Sequence, residues 1–451
     1  MVHTVRHKTA INSHASNAAF GILDYLTFPV GMLIVAPIAL RTMGIAQYGV
    51  WVVATAAVST GSIVASGFGD ANIHFVALSR CGGHRCSPLL TVRSTMGIHF
   101  ALGSGMMLIS LLFAPVAANH IAPSNASLRF ECMWSLIIAG MLMLLRSIES
   151  VCISTQRGFE RYGQAVRISL IGRLLTLVMV AALPAAGLGV ISVMVATMLV
   201  TMVGLQLQII HLKQLLQARS IWPSFDRTAT KALISFGIFT WIQAVAGLLF
   251  GQFDRLITGV SMGASAVASY ALCVQMTQPI YGLAASGLHF LFPYLSARRA
   301  DKTTVTLRRV VVLAFGANLL VVSIGTAVLL IFGAALLKSL GGATVARAGE
   351  PLLPLITWSM ALAGLSVTGS YALLAMGRVR TVTLFNLSGG MLMIFVIALL
   401  IPRYGVYGIA MARMFYGPVT LLVYIPLGAI LFRNLPAYSD TSAPLAVWEK
   451  A

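Results

Sequence analysis

Apolar runs of about 20 residues, separated by short polar stretches, recur along the whole of this sequence. A helix that crosses the hydrocarbon core of a bilayer needs roughly 20 mostly apolar residues, because its backbone polar groups must pair within the segment. By that measure the chain contains twelve predicted membrane spans. They cover residues 18–40, 46–69, 93–118, 132–155, 167–186, 188–212, 233–258, 264–294, 305–332, 351–374, 380–401 and 404–432.

Two segments depart from this pattern. The stretch 71–90 is amphipathic, so we expect it to lie outside the bilayer. The span at 264–294 is long enough to tilt, or to break at Pro279. The other connections are short, so the pattern predicts an all-α polytopic membrane protein without a soluble domain.

The composition agrees with this fold class. Of 451 residues, 58% are apolar and 9% are charged, and the mean hydropathy is +0.91. Soluble domains carry about 25% charged residues, so these values exclude an ordinary soluble enzyme or binding module.

The positive charges are distributed unevenly between alternate loops. One set of loops holds 21 of the 30 Lys and Arg residues, and the opposite set holds six. The positive-inside rule then predicts that both termini are cytoplasmic. The net charge of +19 needs no partner beyond this bias and anionic lipid headgroups, and its dispersal among separate loops speaks against nucleic-acid binding.

One short motif has the residue types of a metal site. The run "CGGHRC" offers Cys81, His84 and Cys86, but these are only three potential ligands without a second cluster. We therefore expect an ordinary loop, with neither a metal nor another cofactor in the protein.

The chain also repeats itself. Phe20-Gly21-Ile22 matches Phe236-Gly237-Ile238 at a shift of 216 residues, and further matches, such as Met43-Gly44 with Met262-Gly263, keep their order at shifts of 216 to 220. The repeat predicts two pseudo-symmetric six-helix lobes, 1–220 and 221–451. Because six is even, both lobes insert with the same topology, as in transporters with parallel repeats, and a cleft is expected between them.

Several loose motifs resemble one transporter family. They are "LRTMGIAQYGVW" after span 1, "QRGFERYGQA" between spans 4 and 5, "FDRLITGVSMGASAVASYAL" across spans 7 and 8, "FPYLS" after span 8 and "RYGVYGIAMARM" entering span 12. Together they cover most of the chain. They resemble the polysaccharide transporter family, which contains the oligosaccharide repeat-unit flippases of the multidrug/oligosaccharidyl-lipid/polysaccharide (MOP) exporter superfamily.

The resemblance implies a fold and a function. The fold is a V-shaped pair of six-helix lobes in the bacterial inner membrane, as in MATE transporters. The function is the transfer of an undecaprenyl-pyrophosphate-linked oligosaccharide from the cytoplasmic to the outer leaflet, for cell-surface polysaccharide synthesis. Membrane lipids and the polysaccharide polymerase or assembly machinery are the implied partners.

That function sets chemical demands. The pyrophosphate and the glycan of such a substrate lose their water in hydrocarbon, so the transporter must offer a hydrated, cationic cleft. Arginine suits the phosphate end, because its planar guanidinium binds oxyanions in pairs and keeps its proton.

Few charged residues lie within the predicted spans, where each is costly. We hypothesise that Arg146 and Arg173 attract the pyrophosphate or an acidic sugar, while Asp24 and Glu149 balance them or exchange a coupling cation. The alternative for Arg146 and Glu149 is an ion pair within one helix. At the 216-residue shift, these four positions are occupied by Thr240, Leu362, Leu365 and Gly389, so the architecture does not require the charges.

Three further charges are candidates. Proteins of the polysaccharide transporter family, which this sequence resembles, carry an acidic residue at the position of Asp254. The resemblance makes Asp254 a coupling candidate, and its neighbour Arg255 is a substrate-binding candidate. Adjacent residues cannot share one helix face, so capping and snorkelling are the alternative for this pair. Arg413, about eight residues into span 12, is expected to face the cleft.

Two other classes of protein remain open at the sequence level. A multidrug or metabolite exporter of the same superfamily would use an acidic, aromatic-lined cleft, which the arginine excess disfavours. A membrane glycosyltransferase or polymerase usually has a large outer loop with catalytic carboxylates, whereas the longest outer loop here contains one acid, Glu350. The absence of a nucleotide-binding loop motif from the sequence indicates that the chain does not hydrolyse ATP.

Overall fold

A computed structural model describes residues 31–80, 87–159, 161–288, 304–376 and 378–432, and every regular element in these ranges is a helix. In chain order the helices are α1 (Gly31–Met43), α2 (Ile45–Ser66), α3 (Gly69–Arg80), α4 (Pro88–Ile121), α5 (Ala126–Gly158), α6 (Tyr162–Ala185), α7 (Val190–Leu216), α8 (Arg227–Gly251), α9 (Phe253–Met262), α10 (Ala264–Gly287), α11 (Thr304–Gly349), α12 (Leu353–Ala375), α13 (Val379–Arg413), α14 (Tyr416–Leu421) and α15 (Tyr424–Phe432).

The helices confirm the predicted all-α polytopic membrane fold. Within the described residues, eight helical stretches are long and apolar enough to cross a bilayer, and α1 is a shorter apolar helix. Most of span 1, the possible metal motif at 81–86 and the end of span 8 lie outside the described residues. The total of twelve spans therefore stays a prediction.

Two predicted spans are not continuous helices. Span 7 divides into α8 and α9 at Gln252, whose φ of −137° is not helical. Span 12 includes a non-helical residue, Gly405 (φ 55°, ψ −132°), and then short helices separated near residues 414 and 422. The kink at Gly405 lies beside the predicted connection 402–403 between spans 11 and 12, whereas the break at Gln252 and the interruptions near residues 414 and 422 fall within predicted spans. Helix α10, by contrast, continues through Pro279.

Two equivalent glycines of the sequence repeat adopt the same unusual backbone conformation. Gly44 separates α1 from α2 with φ 80° and ψ 164°, and Gly263 separates α9 from α10 with φ 82° and ψ 175°. L-residues rarely adopt this conformation, whereas glycine does so at little cost. The paired Met-Gly motifs therefore encode the same turn twice, which supports an internal duplication.

The chain divides into two compact units, Met1–Leu272 (unit 1) and Cys273–Ala451 (unit 2). Unit 1 extends beyond residue 220 because α8 packs on α2 and α3: the Trp241 indole N–H donates to the Val64 carbonyl oxygen (2.7 Å), and Gly237 lies against Phe68. The predicted lobes 1–220 and 221–451 were defined by the sequence repeat, whereas the two units are defined by compactness. The lobes therefore stay a prediction.

Buried polar side chains connect helices within unit 1. The Asn72 amide on α3 donates to the hydroxyls of Ser154 and Thr155 on α5 (both 2.8 Å). Its carbonyl oxygen accepts from Thr95 on α4 (3.1 Å). One side chain thus joins three helices, and in a low-dielectric interior such a satisfied network specifies a single packing arrangement.

Unit 2 contains a comparable connection. The Asn318 amide on α11 donates to the Gly364 carbonyl oxygen (3.0 Å) and to the Thr368 hydroxyl (3.1 Å), both on α12. The Tyr424 hydroxyl on α15 donates to the Leu365 carbonyl oxygen (2.6 Å). These bonds hold α11 and α15 against α12, and α11 and α15 also contact each other through Phe315 and Tyr424.

Candidate functional site

Helices α2 and α5 lie side by side and run in the same direction. Gly61 of α2 contacts Met143 of α5, and four residues further along, Ser147 donates from its hydroxyl toward the Ala65 carbonyl oxygen (3.5 Å). Contacts that advance together along both helices require parallel axes.

This parallel contact determines which side chains share a side of the helix pair. Each residue turns about 100° around a helix. Ser62 is therefore about 100° from Gly61 in one sense, and Arg146 is about 60° from Met143 in the opposite sense. The contact faces of two neighbouring helices point toward each other, so rotations of opposite sense turn side chains of both helices toward the same side of the pair. Ser62 and Arg146 therefore lie on one side of the pair.

The same side of the pair carries more polar residues. On α2, hydroxyls recur at four- and three-residue spacing, which keeps them on this side, and on α5, Glu149 follows Arg146 by three residues. We call this set the polar flank; its members are Thr55, Ser59, Ser62, Ser66, Arg146 and Glu149.

The side chains of the polar flank are half-buried, and they differ in the hydrogen bonds that they make. Thr55 donates to the Trp51 carbonyl oxygen (2.9 Å), and Ser59 donates to that of Thr55 (3.0 Å). Within the described part of the chain, the Ser62 hydroxyl and the Arg146 Nε are buried without a hydrogen-bond partner. Such atoms typically cost about 1–3 kcal/mol, so a polar ligand that bonded to them would be stabilised.

Arg173 lies on the face of α6 that is directed toward α1. It precedes Leu177 by one helical turn, and Leu177 packs against Gly31 of α1. Counting from the ends of α6 and α5 that share one membrane side, Arg173 is about 17 Å deep and Arg146 about 18 Å deep. Asp24, the fourth predicted charge of this group, lies outside the described residues.

The repeat relates Arg146 and Arg173 to two neighbouring positions of unit 2. Their counterparts are Leu362 and Gly389, and these contact consecutive residues of α14: Leu362 packs against Gly417, and a Cβ on Gly389 would lie 3.1 Å from the Tyr416 ring. In unit 2 these positions are filled by apolar packing, whereas the sequence has arginine at both equivalent positions of unit 1.

Asp254 is fully buried in the first turn of α9, in unit 1. Its carboxylate accepts from the Tyr270 hydroxyl of α10 and from the Arg255 backbone N–H (2.8 Å). A helix N-terminus favours a negative charge, so the break at Gln252 creates a place for this carboxylate. Arg255 is half-buried beside it.

Arg413 is fully buried at the end of α13. Its side chain has no exposed surface, and its Nη2 lies 3.9 Å from the Met360 sulfur of α12. Its carbonyl oxygen accepts from the Ser359 hydroxyl (3.0 Å). These contacts place Arg413 in the packing between α12 and α13, and the expectation that it faces a cleft stays a prediction.

Sequence reasoning missed two components of these sites. The hydroxyls of α2 had a detectable signal, since Thr55, Ser59, Ser62 and Ser66 recur at helical spacing in an apolar span. Tyr270 gave no signal, because it is brought to Asp254 by the turn at Gly263 between α9 and α10, and the sequence does not show which residues of the two helices meet.

Comparison with known proteins now identifies the family. A model of the family described as "Polysaccharide biosynthesis protein" matches residues 18–298, which is more than half of the chain. The chain belongs to this family. The predicted membership of the polysaccharide transporter family is thereby confirmed. No curated protein matches the chain significantly.

Several solved structures share the fold of this protein at low sequence identity. An inward-facing multidrug resistance MATE family transporter of the MOP superfamily matches with a TM-score of 0.71 and 14% identity, over 92% of this chain and 100% of that chain. The lipid II flippase MurJ matches at 0.70 and 12%, over 89% and 87%. A eukaryotic MATE transporter matches at 0.66 and 15%, over 92% and 95%.

At these identities the likeness shows the fold alone. Family and fold together are those of a multi-pass MOP-type transporter, and they agree with the prediction that the protein is not an enzyme.

Proposed function

We propose that this transporter moves a polyprenyl-pyrophosphate-linked oligosaccharide, of the undecaprenyl type, from the cytoplasmic to the outer leaflet. Membership of a polysaccharide biosynthesis family supports a saccharide cargo, and the printed name of MurJ, a lipid II flippase, supports a lipid-linked one by analogy. The proposed location is the bacterial cytoplasmic membrane with both termini inside, and a polysaccharide polymerase is the proposed downstream partner.

The polar flank is the observation that carries the proposal. It places a partly buried guanidinium, with its Nε lacking a partner among the described residues, beside a row of hydroxyls on α2. Guanidinium groups bind phosphate oxygens, and hydroxyls exchange hydrogen bonds with sugar hydroxyls. Arg146, joined by Arg173, binds the pyrophosphate in this proposal, while Ser59 and Ser62 contact the first sugar.

Carboxylates provide the proposed coupling. Glu149 lies on the polar flank one helical turn from Arg146, and Asp254 is held at the start of α9 by Tyr270. Each carboxylate can exchange a proton or a small cation as the substrate arrives and leaves, and Asp24 is proposed to act with Glu149. Arg255, beside Asp254, is proposed to steer the anionic substrate.

The test is translocation by purified protein in liposomes that contain a labelled lipid-linked oligosaccharide. We expect Arg146→Ala or Arg173→Ala to reduce the initial rate at least about tenfold, because each variant loses a charge-assisted bond to phosphate. Arg129→Ala is the matched control, since Arg129 is half-buried near the start of α5, far from the polar flank along that helix, and its guanidinium donates a long bond to Asn119 (3.4 Å). Wild-type rates in both variants would refute the assignment.

The same liposomes separate this function from drug export. An exporter of organic cations would move a cationic dye, and loss of Arg146 would leave that movement intact or increase it. A flippase for anionic lipid-linked sugars would move the saccharide and ignore the dye.

A further inference from the structure

Residues 217–226, which join α7 to α8, form a segment without helix or strand that we call the linker. The linker is held along the first turns of α4. Its Ser224 backbone N–H donates to the Arg93 carbonyl oxygen, and the Arg93 Nε donates to the Trp222 carbonyl oxygen (both 3.1 Å). These two bonds, made around one α4 residue, fix the direction in which the linker crosses the helix.

The inner side of the linker is packed. Ile221 is buried in an apolar cluster with Val92 and Met96 of α4. A Cβ on Gly97 would lie 2.6 Å from the Ser224 carbonyl oxygen, so the absence of a side chain at Gly97 allows the close approach. The linker is therefore a fitted part of unit 1.

The outer side of the linker is strongly apolar and exposed. Trp222 is 77% exposed and Phe225 is 65% exposed, and Trp222 is the most exposed large apolar side chain in the described parts of the chain. Full exposure of two aromatic rings to water is unfavourable, which implies that something apolar covers them.

The linker lies where the lipid-facing surface ends. Phe225 packs over Gly97, and Phe100, one turn deeper on α4, is exposed within a candidate membrane span. On α7, whose end is continuous with the linker, Val203 and Ile210 are likewise exposed. Trp222 and Phe225 therefore lie at the boundary between hydrocarbon and headgroups, which aromatic side chains prefer.

Positive charge surrounds these aromatic residues. Lys213, Arg219, Arg227 and Lys231 are all exposed on the linker or the adjoining helix ends. The acid of this segment, Asp226, accepts from the Ala229 backbone N–H (2.8 Å) and so caps α8. Exposed cations beside aromatic rings are complementary to anionic phospholipids.

We infer that the linker is a membrane-surface anchor that binds anionic phospholipid headgroups. Trp222 and Phe225 insert at the level of the glycerol groups, and the surrounding Lys and Arg side chains contact lipid phosphates. The loop bias in charge assigns this surface to the cytoplasmic leaflet. Because α4 and α8 both contact the linker, the anchor holds the ends of these helices at a fixed depth.

The test measures the depth of Trp222 in nanodiscs. The difference between the fluorescence of wild-type protein and that of Trp222→Phe isolates the emission of this residue. We expect lipids brominated near the headgroup to quench it more than lipids brominated deep in the chain. We also expect quenching to rise about twofold when about a third of the phosphatidylcholine is replaced by phosphatidylglycerol.

Two controls make the result specific. In the triple variant K213Q/R219Q/R227Q, the quenching of Trp222 should no longer rise when anionic lipid is added. In K338Q/R347Q, which removes exposed charges from α11, the quenching should still rise. Emission isolated with Trp358→Phe, from an exposed tryptophan on α12, should not depend on the anionic lipid. The inference is overturned if Trp222 is quenched by aqueous acrylamide and not by brominated lipid, or if the triple variant retains the rise.

Discussion

At the scale of single residues, the buried polar side chains of unit 1 have two roles. Asn72 and His99 are bonded to neighbouring helices and hold them in place. Ser62 and Arg146, on the polar flank, each keep a buried atom without a partner among the described residues, as the Nε2 of His99 also does. A role in binding is part of the proposed function for Ser62 and Arg146 only.

Asn72 should be important for stability. Asn72→Ala removes bonds to Thr95, Ser154 and Thr155 and leaves their buried hydroxyls with fewer partners. We expect the free energy of unfolding to fall by about 1–3 kcal/mol. Thermal unfolding in detergent measures this, with Ser59→Ala as the control, since the Ser59 hydroxyl bonds within its own helix. Equal midpoints for the two variants would contradict the role of Asn72.

His99 joins α4 to α5 through paired bonds. Its Nδ1 lies 3.0 Å from the Ser147 carbonyl oxygen, which requires the Nδ1–H tautomer, and the Ser147 hydroxyl donates to the His99 carbonyl oxygen (2.8 Å). His99→Leu loses the side-chain bond, whereas the amide of His99→Asn can still donate from nearly the same place. We expect a lower unfolding midpoint for His99→Leu than for His99→Asn; the reverse order would show that the ring volume matters more than the bond.

At the scale of helices, hydropathy predicted most of the architecture, because a span must be apolar for its full length. Helices α4, α5, α6 and α7 lie where the sequence predicted spans. The break at Gln252 was not predictable, because an amide in an apolar span is compatible with both a continuous helix and a kink; the kink at Gly405 lies beside the predicted connection between spans 11 and 12. The sequence could nominate Asp254 and Arg413 as charges within spans, but not the side chains that surround them.

Close helix contacts give a test at this scale. A Cβ on Gly49 of α2 would collide with the Ala264 carbonyl oxygen at the start of α10, whereas a Cβ on Gly204 of α7 would meet nothing within 4 Å. Gly49→Ala should therefore destabilise the protein by about 1–3 kcal/mol, because backbone must move. Gly204→Ala should be neutral or stabilising by up to about 1 kcal/mol. Unfolding midpoints check both, and an undiminished midpoint for Gly49→Ala would show that α2 and α10 separate freely.

At the scale of the whole molecule, the repeat favours a duplicated scaffold whose first half alone carries the charges at Arg146, Glu149 and Arg173, and the lobes 1–220 and 221–451 stay a prediction. Both halves carry the same turn at Gly44 and Gly263. The positions of Arg146 and Arg173 in unit 1 are occupied by Leu362 and Gly389 in unit 2. The 216-residue shift predicted this asymmetry from the sequence, and the structure adds that Leu362 and Gly389 contact the neighbouring α14 residues Gly417 and Tyr416.

The most direct measurement is the movement of substrate by the wild-type protein. Liposomes that contain the purified transporter and a labelled polyprenyl-pyrophosphate oligosaccharide are sampled for sugar exposed on the far leaflet, beside liposomes loaded with an organic cation. The account predicts that the saccharide appears on the far leaflet at a protein-dependent rate while the cation stays in place. Protein-dependent movement of the cation alone, with the lipid-linked saccharide retained in its original leaflet, would contradict it.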